Sequence, residues 1–139
     1  MKRYLVALFL FGLSVSGFAQ AQCAAFPCVV ATVSLTNQSH AIPNTPIFTP
    51  TASSVFRISA YLTTSAGNRS ALWQLFVGWT DDNGARKAST ATAPSNSNAN
   101  IATFVVQDVA GVPLSYQTKP IGNVGGMTYN FSIVVEQLQ

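Results

Sequence analysis

Charge is scarce in this sequence. Of 139 residues, seven are Lys or Arg, four are Asp or Glu, and one is His. General acid–base catalysis needs titratable side chains gathered at one site, and here there are few to gather. The acids are Asp81, Asp82, Asp108 and Glu136. Asp81 and Asp82 are adjacent, so on a strand they face opposite ways and cannot flank a sugar bond together. His40 lies beside Ser39 in a loop-forming stretch. A Ser-His-Asp set can be drawn with Asp81, Asp82 or Asp108, but no GxSxG or comparable nucleophile turn supports it. Phosphate-cradling glycine motifs and zinc-ligand spacings are also missing. The expectation is a protein that is not an enzyme, and a small secreted hydrolase using His40 is the catalytic alternative.

Cysteine is almost as rare, with Cys23 and Cys28 the only two. In an exported chain such a pair is expected to close one small disulfide loop. With only the distant His40 to add, they make a poor metal set. Long apolar runs are limited to the beginning. Lys2 and Arg3 precede the run from Tyr4 to Leu13, and Ala19-Gln20-Ala21 supplies the small residues a signal peptidase reads. The run is short for a bilayer span. The division expected is therefore a signal peptide over 1–21, cleaved after Ala21, and one domain over 22–139 with no membrane span. Gln22 before Cys23 argues against lipid attachment. Secretion to an extracellular or periplasmic space follows. Losing Lys2 and Arg3 leaves five cations against four acids, so the pI near 9.1 belongs mainly to the precursor. That balance gives no electrostatic footing for nucleic acid.

Alternation is what the sequence does have. Phe56, Ile58, Ala60 and Leu62 share one face, and Ala71, Trp73, Leu75, Val77 and Trp79 share another, which predicts two half-buried strands. The turn-forming stretch from Ser65 to Arg69 between them predicts a β-hairpin. Further strands are expected over Val29–Leu35, Ile47–Thr49, Val112–Tyr116 and Met127–Leu138. Another, Ile101–Val109, is apolar on both faces and reads as an interior strand. Asp81-Asp82-Asn83-Gly84 carries the Asn-Gly hairpin signal. The same oxygens, on Asp81, Asp82 and Asn83, form a candidate calcium site, but the later Glu of a full calcium loop is absent. Ala85–Thr92 shows little strand signal, and Ala93–Asn100 reads as a polar loop.

No apolar period of 3.6 residues follows the leader. Strands at turn spacings of roughly 8–12 residues indicate an all-β fold, a two-layer antiparallel β-sandwich. A jelly roll is preferred, and an immunoglobulin-like sandwich is the alternative, lacking its Cys…Trp…Cys spacing. Trp73, Trp79, Tyr61, Tyr116 and Tyr129 could stack on a sugar ring, but Trp73 and Trp79 lie on the expected core face. Leu72 and Phe76 lie on the opposite, outer side of the same strand. Together with Arg57 and Arg69, they are the candidate binding or subunit-contact residues.

Phe48-Thr49-Pro50, followed by Ser54-Val55-Phe56-Arg57-Ile58-Ser59, resembles the F-T-P…G-x-Y-x-F run of tumour-necrosis-factor- and complement-like jelly-roll heads. Ser54 and Phe56 stand where that family has Gly and Tyr. Trp79-Thr80-Asp81-Asp82 and Gly111-Val112-Pro113-Leu114-Ser115-Tyr116 are similar to runs in small phage and bacterial surface proteins. The resemblance implies homo-oligomers, commonly trimers, that bind partners or decorate surfaces. The expected function is a secreted, self-associating structural or adhesion module whose partner is itself, or else a cell-surface or polysaccharide partner. A carbohydrate-binding module is the alternative.

Overall fold

A computed structural model describes residues 23–64, 71–91 and 100–139. The expected signal peptide, the Ser65–Arg69 turn with Arg69, and nearly all of the Ala93–Asn100 loop lie outside these residues. Eight strands are present: β1 (Cys28–Gln38), β2 (Thr45–Phe48), β3 (Ser54–Thr64), β4 (Leu72–Asp81), β5 (Gly84–Ala91), β6 (Asn100–Asp108), β7 (Leu114–Ile121) and β8 (Tyr129–Gln137). They build two four-stranded antiparallel sheets. The first has the order β1-β8-β3-β6 and the second β2-β7-β4-β5.

This order is a jelly roll. β1 pairs with β8, β2 with β7, β3 with β6 and β4 with β5, as if one long hairpin had been folded over on itself. The β3–β8 and β4–β7 ladders then join its arms into sheets. An immunoglobulin sandwich keeps several chain-consecutive strands side by side. Here only β4 and β5 are both consecutive and paired, so that alternative falls.

The alternating residues form the core. Phe56, Ile58 and Leu62 from β3, Trp73, Leu75 and Val77 from β4, and Phe131, Ile133 and Val135 from β8 are buried between the sheets. Tyr129 packs its ring 4.4 Å from that of Trp73, centroid to centroid. Burying a large side chain of this kind contributes about 1.5–3 kcal/mol.

Three expectations are corrected. β3 and β4 do not form a hairpin, since they lie in opposite sheets and each is completed by other strands. Both inward faces were read properly, but alternation says which face is buried and not which neighbour supplies the ladder. The stretch with little strand signal is β5, held by its register with β4. Packing and pairing there override a composition of Arg, Lys, Ser and Thr. Third, β6 is an edge strand rather than an interior one. Phe104 and Val106 turn inward, while Ile101 and Val105 project outward with 68% and 61% of their surface exposed.

Candidate functional site

On the outer face of the first sheet, β3, β6 and β8 place Arg57, Tyr61, Ile101, Val105 and Glu136. Register sets Tyr61 opposite Ile101 and Arg57 opposite both Val105 and Glu136. Arg57 donates through Nε to Glu136 Oε2 at 2.6 Å and through a terminal nitrogen to Oε1 at 2.9 Å. That two-pronged hydrogen bond holds the Glu136 carboxyl below its ordinary range and the Arg57 guanidinium above its own. Arg57 is thus committed within the chain. The rest of the outward face of β3 and β6 is Val, Ser, Tyr, Thr, Ile and Gln. The outer edge of β6 pairs with no described strand. Edge strands in soluble proteins are usually blunted by lysines, prolines or bulges, and β6 has none of these.

The outer face of the second sheet differs. Leu72 and Phe76 are half-buried there, and the Lys87 ammonium sits 4.9 Å from the Phe76 ring centroid. A depression of about 400 Å³ lies beside them, lined by Asn44, Gly78, Trp79, Lys87, Ser115 and Gln117 among others. Gly78 shapes its floor: a Cβ at that position would lie 3.1 Å from Ser115 Oγ. A glycine inside a strand signals such a close approach, and it is the mark in the sequence from which this depression could have been anticipated.

A second opening, of about 620 Å³, lies along the seam between β1 and β2, the edge strands on one side of the sandwich. Val30, Val33, Ile47, Phe48 and Tyr116 line it. Burial pushes the Tyr116 phenol up from its ordinary pKa, and hydrogen bonding with the Thr45 hydroxyl offsets part of the rise. The rest of the lining is Ala, Pro, Ser and Thr, so the opening can hold an uncharged group and carries hydroxyls but no charged side chain.

The remaining candidates are placed as follows. Cys23 and Cys28 are joined in a disulfide, with their Cα atoms 5.9 Å apart. Asp81-Asp82-Asn83-Gly84 forms the β4–β5 hairpin turn, with Gly84 at φ +113°. Asp81 Oδ1 accepts from the Asn83 backbone N–H at 2.9 Å and Oδ2 from Arg86 Nε at 2.8 Å. The Arg86 hydrogen bond is the main cause of a lowered Asp81 pKa. Asp82 Oδ2 accepts from Gln107 Nε2 at 3.2 Å. No group of three or more His, Cys, Asp or Glu capable of holding a metal occurs among the described residues. His40 Nδ1 lies 2.9 Å from Ser39 Oγ on an exposed loop, and Asp81 and Asp108 make their hydrogen bonds elsewhere. The five aromatics of the sugar-platform reading are split. Trp73, Tyr116 and Tyr129 are buried, Trp79 packs on Phe104, and Tyr61 faces outward on the first sheet. No helix among the described residues is long and apolar enough to cross a membrane.

No protein-family model matches the chain, and no curated protein does. Among solved structures, it is similar to an Eiger TNF from S. frugiperda, at 10% identity and a TM-score of 0.47 over 81% of this chain and 88% of that one. It is also similar to the VP2 subviral particle of infectious bursal disease virus, at 15% identity and a TM-score of 0.45. The alignment with that protein covers 94% of this chain and 37% of that one, so the chain spans little more than a third of its length. The Gx strain of the same virus gives 12% identity and a TM-score of 0.46, over 93% and 36% of the two chains. One of these is a TNF, and the Phe48-Thr49-Pro50 run resembles the tumour-necrosis-factor-like heads.

Proposed function

We propose that the chain is an exported, non-enzymatic structural module that self-associates through the β6 edge of its sandwich. The observation that carries this reading is a nine-residue edge strand presenting Ile101 and Val105 to solvent without a charge on its outward side. A two-fold contact sets one patch against a copy of itself, so a patch with net charge would repel its partner. This face has none to oppose, because its Arg57 and Glu136 neutralise one another. Exposed apolar edges of this kind add strands from other chains. Export is supported by the disulfide and by the basic-then-apolar leader.

Size-exclusion chromatography with light scattering on residues 22–139 tests the association. The expected mass is a multiple of the monomer, and Val105→Lys should return it to a monomer with an unchanged melting temperature. A monodisperse wild-type monomer at micromolar concentration sinks the proposal. Export has its own test: N-terminal sequencing of protein recovered outside the cytoplasm should begin at Gln22, and a start at Met1 would overturn cleavage.

A further inference from the structure

We propose that the outer face of the second sheet binds an acidic saccharide, at the depression floored by Gly78. The argument begins with which charges are already matched. Arg57 is paired with Glu136 and Arg86 with Asp81. Asp82 accepts from Gln107, and Asp108 is buried. The described cations left without a carboxylate are Lys87 and Lys119. Both project from the same face: Lys87 stands opposite Gly78 in the ladder and Lys119 opposite Gln74, with Phe76 between them on β4. The exposed Lys87 ammonium sits over the Phe76 ring, on the sheet's outer face.

A ligand for this face must bring negative charge. A second copy of the chain is a poor source, since its described carboxylates are paired, hydrogen-bonded or buried. An extended acidic peptide would need an open ladder, but β4 is paired on both sides, with β5 and with β7. The depression offers instead Asn44 and Gln117, which carry amides, and the hydroxyl of Ser115. Amides and hydroxyls satisfy ring hydroxyls, Lys87 at the lining meets a carboxylate or sulfate, and Lys119, farther along the same face, meets a neighbouring acidic unit of a saccharide chain. The site is separate from the β6 edge, which belongs to the other sheet.

Binding to polygalacturonate, with neutral dextran and poly-L-glutamate as controls, tests the proposal. Polygalacturonate should bind and dextran should not. Lys87→Gln and Lys119→Gln should each weaken binding by about two- to fivefold, as expected for exposed charge pairs. Gln117→Ala and Gly78→Ala should weaken it as well without changing charge. Val105→Lys should leave it intact whether or not the chain self-associates. Absence of binding overturns the proposal. So does equal binding to poly-L-glutamate or anionic vesicles with no effect of Gln117→Ala, which would show charge attraction alone.

Discussion

Asp108 is fully buried at the end of β6, where its Oδ1 accepts the Thr80 backbone N–H at 2.9 Å and ties one sheet to the other. Its Oδ2 has no partner among the described residues. Burial raises the pKa of this carboxyl, and the Thr80 hydrogen bond offsets only part of the rise. A raised folded-state pKa means that the folded chain holds the proton more tightly than the unfolded chain does. The contribution to stability is therefore full below about pH 4, the ordinary Asp range, and is lost as pH climbs through the folded value. Asp108→Asn keeps the acceptor for Thr80 and cannot ionise. Its melting temperature should gain on the wild type between about pH 4 and pH 7, and parallel curves over that range would refute the assignment. Asp81 and Glu136, with lowered values, act in the opposite sense and lose stability as pH falls.

At the level of elements, one polar chain fixes the loop between β1 and β2. The Ile42 N–H donates to Thr118 Oγ1 at 2.8 Å, and Tyr129 Oη donates to the His40 carbonyl at 2.7 Å. The 2.6 Å contact between Thr118 and Tyr129 must then run from the threonine hydroxyl to the phenol oxygen, since the phenol proton is already used. Tyr129→Phe breaks two of these bonds inside the sandwich and should cost about 1–3 kcal/mol. A calorimetric melt checks this, and an unchanged melting temperature would mean the chain is ornamental. The sequence made the strands legible wherever alternation was clean, as at Phe56–Leu62 and Trp73–Trp79. Partnership was not legible, because the residues opposite β3 lie on β6 and β8, far along the chain. Nor was the exposure of Ile101 and Val105: a strand apolar on both faces reads as interior, and only the sheet order shows it at an edge. Phe76 faces outward as the alternation of β4 dictates, but its cover by Lys87 depends on the β4–β5 register. Gly78 is legible as a glycine inside a strand, but the two lysines carry no motif.

At the level of the whole molecule, the disulfide sits at one corner, just ahead of β1, while the core lies between the sheets. A loop this short is worth about 2 kcal/mol on the chain-entropy account. Reduction should therefore lower the melting temperature by several degrees and leave the far-ultraviolet circular dichroism of a β protein in place. Collapse of that spectrum on reduction would mean the sandwich does not stand on its core.

The pairing of β1 with β8 also orders events in time. Cys28 finds its ladder partner in Gln137, so β1, made well before β8, waits for it before it can be zipped into place. Nearly every ladder spans a long stretch of chain, and closures of that sort are slow. Until the final strand arrives, the growing polypeptide stays open, which is the state in which it can still be threaded through a narrow passage.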